Sequence, residues 1–134
     1  MLHRRWLAAL CGLSFLAPHA AHADWDIPLV TTTDAKYYAD PETKRSAVLP
    51  SVWILADYDQ PQHTAGLEPN YLSVKVLSEA DCGANKLRTV SLIYYSLAMG
   101  QGDALGYSTY ATEWGSPIPR SPWAAVFGYL CPEK

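Results

Sequence analysis

Phenylalanine, methionine and histidine are scarce in this 134-residue chain. It has two, two and four of them, against nine tyrosines and five tryptophans. Three of the four histidines fall within the first 22 residues, which leaves His63 alone in the remainder. A serine or cysteine nucleophile needs a base within reach. One histidine in a proline-bearing stretch supplies no such constellation. No catalytic residue and no cofactor site is assigned, and the chain is read as a non-enzyme.

Long hydrophobic runs are also lacking, apart from Trp6 to Ala17. That run is too short to span a bilayer. It follows His3, Arg4 and Arg5 and precedes Ala21-His22-Ala23, a small-x-small cleavage site. Residues 1–23 are therefore expected to be a secretory signal peptide, and residues 24–134 the mature domain with no transmembrane segment. Leu10 precedes Cys11 and most of the apolar run follows it, so no lipid anchor is expected there. The protein should be exported, to the periplasm, the medium or the outer-membrane surface.

Without the signal, 8 basic and 13 acidic residues remain, a net charge of −5. An acidic chain with no basic stripe argues against nucleic acid as a partner. It also has no polybasic segment to draw it to anionic lipid. About 111 residues suffice for one domain with a modest core.

Cysteine is nearly absent too. Cys82 and Cys131 alone survive cleavage, and in an exported protein two cysteines read as one disulfide. It would close a loop of about 50 residues, for which the chain-entropy relation gives roughly 4 kcal/mol.

Against these absences stands a run of strand-like segments. Asp24 to Thr33 ends in β-branched residues and reads as an edge strand interrupted by Pro28. Lys36 to Ala39 is a short second strand. In Val48 to Tyr58, Val52, Ile54 and Ala56 alternate with Trp53, Leu55 and Asp57, so both faces are apolar at its centre and both need cover. Asp59 to Pro69, rich in Pro, Gln and Gly, reads as a long exposed loop. Asn70 to Glu79 and Lys86 to Tyr95 alternate cleanly across the turn that carries Cys82, which is an antiparallel hairpin pattern. Gly106 to Trp114 is the last strand.

Ser121-Pro122 then opens a helix, with serine at the cap and proline at the first helical position. Trp123, Val126, Phe127 and Leu130 form one apolar stripe, and Pro132 ends it. About nine residues are marginal as an isolated helix, so this one must lie on the sheet.

Two patterns suggest ligands and are set aside. Asp57, Asp59 and His63 match no calcium-loop spacing, and read as a solvated loop edge with no metal. Gly100-Gln101-Gly102 lacks a third glycine and a following helix, and reads as a hairpin turn. The aromatics are more telling. Tyr37-Tyr38, Tyr94-Tyr95, Tyr107 and Tyr110 put phenols on both faces of strands, and tyrosine and tryptophan are common interface anchors.

Several segments in order carry a resemblance. They are Tyr37-Tyr38-Ala39-Asp40-Pro41, Val52-Trp53-Ile54-Leu55, Ser73-Val74-Lys75, Asp81-Cys82, Lys86 with Arg88, Tyr94-Tyr95 and the Gly100-Gln101-Gly102 turn. Trp114 to Pro119, Ser121-Pro122 and the cysteine-terminated helix complete the set. From Trp25 to Cys131 the chain resembles the bacterial surface-adhesin protein E family. The resemblance implies an α+β fold: one antiparallel sheet of about six strands with a C-terminal helix packed on it. It implies an exported envelope protein that binds host matrix proteins.

The reading is thus a non-enzymatic binding module for a protein partner. The loop 59–69 and its borders supply the candidate contacts Tyr58, Asp59, His63, Glu68 and Tyr71, because loops on rigid scaffolds often carry binding. An edge strand offers pairing to a second copy, which would give a homodimer. The alternative is a periplasmic envelope assembly or stress factor with no host ligand.

Overall fold

The computed structural model describes residues 25–132. The signal segment expected at residues 1–23, and Cys11 within it, lie outside the described residues. Six strands form one sheet in sequence order, and every neighbouring pair is antiparallel. They are β1 (Val30–Thr31), β2 (Ala35–Ala39), β3 (Ser51–Thr64), β4 (Leu67–Asp81), β5 (Lys86–Tyr95) and β6 (Ala104–Ser108). One helix follows, α1 (Pro122–Leu130). Tight turns join β1 to β2, β3 to β4 and β4 to β5, which makes each of those pairs antiparallel neighbours.

The long central strands carry the core. Val52 and Ile54 of β3, Ala80 of β4 and Leu87 of β5 meet Val126 and Leu130 of α1, all of them buried. Trp123 and Phe127, the remaining members of the helical stripe, pack at the margin of that cluster. Burying a side chain such as Val126 or Leu130 contributes about 1.5–3 kcal/mol each. That is what a nine-residue helix requires. Locally the helix begins as the sequence implies: the Ser121 hydroxyl accepts from the Ala124 amide at 3.3 Å, with Pro122 in the first turn.

Cys82 and Cys131 are bonded, 49 residues apart in sequence. Cys82 sits in the β4–β5 turn, where the Asp81 carboxylate accepts from the Ala84 amide and Asn85 takes a left-handed conformation. Asparagine tolerates that region better than most residues. The bond holds the last turn of α1 over one end of the sheet.

The opposite face of β3 is covered by other means. The chain between β5 and β6 folds back over it as a short 3-10 turn, Ala98–Gly100. There the Asp57 carboxylate accepts from the Met99 amide at 2.6 Å. The buried Ser73 hydroxyl donates to the Leu97 carbonyl at 2.6 Å and accepts from the Gly100 amide at 2.8 Å. Gly100 lies at φ 67°, and a Cβ there would come within 2.6 Å of Lys75 Cε. The Gly100-Gln101-Gly102 segment is therefore the β5–β6 turn.

Four sequence expectations need correction, the first being the strand expected over Asp24 to Thr33, of which only Val30–Thr31 forms among the described residues. Asp59 to Pro69 is not a long loop. β3 runs on to Thr64, turns at Ala65–Gly66 and returns as β4 from Leu67, giving a projecting two-stranded arm. Pro61 is accommodated because the ladder breaks between Asp57 and Gln62, where a missing N–H costs no bond. The third strand also starts later than expected, at Ser51, and Val48 is exposed. The last strand ends early, at Ser108. Beyond it, single contacts rejoin the chain to β5, from Thr112 to Thr89 and between Leu87 and Gly115.

Candidate functional site

The helix covers one half of its sheet face. On the other half stand four tyrosines from four successive strands: Tyr37 of β2, Tyr58 of β3, Tyr71 of β4 and Tyr94 of β5. Register accounts for most of this row. Tyr37 pairs with Ala56, Ala35 with Tyr58 and Val74 with Tyr94, and directly opposed residues share a face. Strict alternation along β4 would put Tyr71 with Ser73 on the other face. Instead its ring meets Tyr94 at 4.8 Å and Tyr58 at 6.0 Å, both edge to face. The register break between Asp57 and Gln62 re-aims the strands at this point.

The row continues to the helix, where Tyr37 meets Trp123 edge to face at 6.1 Å. Such pairs add about 0.5–1.5 kcal/mol beyond area burial. All four tyrosines are partly exposed. The Tyr37 and Tyr58 hydroxyls hydrogen-bond each other, and Thr64 donates to the Tyr71 hydroxyl at 3.2 Å. Burial, reinforced by the neighbouring Tyr37, Tyr71 and Tyr94 phenols, pushes the Tyr58 hydroxyl up to about 12. Tyr37 is also raised, by burial and by the nearby Asp34 carboxylate, while its bond from Tyr58 opposes the shift. Both phenols therefore stay neutral at physiological pH and present an aromatic surface with polar edges.

Beside the row lies a cleft of about 510 Å³ between the β1–β2 turn and the base of the arm. Tyr37 and Tyr58 line it together with Asp34, Asp59, Gln60 and Gln62. Thr32 holds the turn, donating to the Ala35 carbonyl and accepting from the Ala35 amide, both at 3.1 Å. The Asp59 amide donates to the Asp34 carbonyl at 3.0 Å, which fixes the second wall.

The five residues expected at the site all lie on the arm, in two groups. Tyr58, Asp59 and Tyr71 gather at its base. His63 and Glu68 form an exposed pair at 3.6 Å nearer the tip, where His63 Nδ1 also lies 3.3 Å from Asn70 Oδ1. Tyr37 and Tyr94 were visible in the sequence as aromatics, but only the cross-strand register assigns them to one row with Tyr58. Asp57, Asp59 and His63 are not brought together. Among the described residues no group of three His, Cys, Asp or Glu is placed to hold a metal. Among those residues no helix is long and apolar enough to cross a membrane.

Comparison with known proteins places this geometry. The family described as Surface-adhesin protein E matches residues 27–132. Crystal form II of Haemophilus influenzae protein E superposes with a TM-score of 0.58 at 16% identity, covering 78% of this chain and 91% of that one. Protein E from non-typeable Haemophilus influenzae gives a TM-score of 0.55 at 22% identity, covering 82% of this chain and 78% of that one. At such identities the structural likeness is one of fold. No curated protein matches the sequence.

Proposed function

This chain belongs to the surface-adhesin protein E family, and from that premise we propose that it is a non-enzymatic adhesin of the bacterial cell envelope. It holds a host matrix protein against the tyrosine row at the base of the β3–β4 arm. The row supports this reading more than any other feature. Four partly exposed tyrosines form one contiguous face on rigid strands, each locked by its neighbours and each carrying a polar edge. Tyrosine supplies large contact area with little side-chain entropy to lose, which is why it recurs at binding hot spots. The adjoining cleft adds carboxylates and amides for orientation, and the His63–Glu68 pair widens the surface along the arm.

The test is binding of the purified protein to a panel of immobilised matrix glycoproteins, with Tyr71→Ala as the probe. Truncating a hot-spot residue costs about 2 kcal/mol or more, close to thirtyfold in affinity. Tyr71 lies outside the helix-packed core, so the fold should survive. Unchanged affinity of Tyr71→Ala for a bound partner would move the site elsewhere. Location is tested separately by protease shaving of intact cells. Protection of the domain until the outer membrane is opened would replace the adhesin reading by that of a periplasmic envelope factor. The outer edge of β6 is a candidate for pairing with a second copy. Sedimentation showing only monomer at high micromolar concentration would remove that homodimer.

A further inference from the structure

The face of the sheet turned away from α1 carries a second aromatic site. Lys75 of β4 stands opposite Ile93 and Leu55, and Tyr95 stands opposite Ser73, so Lys75, Ile93 and Tyr95 share that face. Trp53 is on it too, two residues before Leu55. Trp25 and the Asp40–Thr43 segment close the slot, which has a volume of about 250 Å³. Its wall is fixed by backbone. The Asp40 amide donates to the Trp53 carbonyl, and the Trp53 amide to the Thr43 hydroxyl, both at 3.0 Å. One Asp40 carboxylate oxygen accepts from the Glu42 amide at 3.0 Å and is committed to this turn.

Lys75 is the unusual member. Its ammonium lies 4.9 Å from the centre of the Tyr95 ring. Its stem runs beneath Gly100, where even a Cβ would not fit. Among the described residues no ion pair is found that joins Lys75 to a carboxylate. A partly buried cation held against the Tyr95 ring, in a slot that Trp25 and Trp53 also line, is set to receive an anion. A charge-assisted bond to a carboxylate is its strongest available complement. The rings add a second requirement, a flat apolar face of about one ring's area.

We infer that this slot binds an acidic pyranose, a hexuronic acid unit of a glycan. The sugar's C–H face stacks on Trp53 and Tyr95, with Trp25 closing over it. Its carboxylate meets the Lys75 ammonium, and its outer hydroxyls face solvent. Neither a simple carboxylate nor a neutral sugar satisfies both requirements.

The test is titration of the purified protein with methyl β-D-glucuronide, followed by tryptophan emission and by indole N–H shifts. The expected result is saturable binding, with shifts at Trp25 and Trp53. Methyl β-D-glucoside should bind about tenfold more weakly or worse, since a hydrogen bond to a charged group contributes about 1.5–3 kcal/mol. Acetate should not saturate the site in the same range. Lys75→Met should lose the preference for glucuronide over glucoside, and Trp25→Ala, outside the sheet, should weaken both sugars without unfolding the protein. Equal affinity for the two glycosides, acetate binding as tight as glucuronide, or no saturable change at all would each overturn the assignment. If Lys75→Met does not fold, the glycoside comparison and Trp25→Ala decide alone.

Discussion

The buried hydroxyl of Ser73 donates to the carbonyl oxygen of Leu97 at 2.6 Å, across 24 residues of sequence. The same hydroxyl accepts from the Gly100 amide, and Ser73 thereby ties the β5–β6 turn to the centre of the sheet. Ser78, on the same strand and equally buried, has no hydrogen-bond partner for its hydroxyl among the described residues.

These two serines should respond oppositely to alanine. Ser73→Ala strands two backbone groups and is expected to cost about 1–3 kcal/mol, whereas Ser78→Ala should be neutral or slightly stabilising. Urea denaturation of the two variants checks the contrast. A large loss in Ser78→Ala, or none in Ser73→Ala, would contradict the assigned bonds.

Replacing both cysteines by serine should lower stability by roughly 4 kcal/mol on the chain-entropy relation for a loop of this length. The loss should include undocking of α1, because Cys131 directly follows its last buried residue, Leu130. Near-ultraviolet dichroism of Trp123 beside Tyr37 reports that step. A double variant with the parent midpoint would show that burial of Val126 and Leu130 suffices.

The Tyr58 phenol sets an alkaline limit. Its folded value of about 12 lies above the unfolded value of 10.0. The native state thus binds the proton more tightly. Its contribution is fully present below the unfolded value and is lost as pH rises through the window between the two. Unfolding midpoints should fall across that window in the parent and less so in Tyr58→Phe. Tyrosinate absorbance in the parent should show a late-titrating phenol that is lost in Tyr58→Phe.

Glu68→Ala should change stability by less than about 0.5 kcal/mol, since its pair with His63 is exposed. If the arm is part of the adhesive surface, the same variant should still change partner binding or its salt dependence. Thermal melting and binding measured on one preparation separate the two effects.

What could be read in the sequence was local or arithmetical. Serine, proline and an apolar stripe at helical spacing specify α1 within ten residues. Two cysteines in a chain expected to be exported admit one intramolecular bond. Alternation in β4 and β5 specifies a hairpin because side chains on a strand have a period of two. The arm escapes such local reading. Its Pro61, Pro69 and Gly66 resemble loop residues locally; Gly66 does lie in the two-residue turn, and the two prolines are tolerated as strand because the cross-strand register breaks beside them. The tyrosine row and the Lys75 slot depend on register as well. Tyr37, Tyr58, Tyr71 and Tyr94 are each an ordinary strand aromatic until four strands are aligned, and Lys75 looks like a solvated charge until the β5–β6 turn folds over its stem. Short-range periodicity and counting are enough to read the β4–β5 hairpin, the C-terminal helix and the single disulfide before any fold is known. Which side chains meet is set by cross-strand packing, because a one-residue change of register carries a side chain to the other face of the sheet.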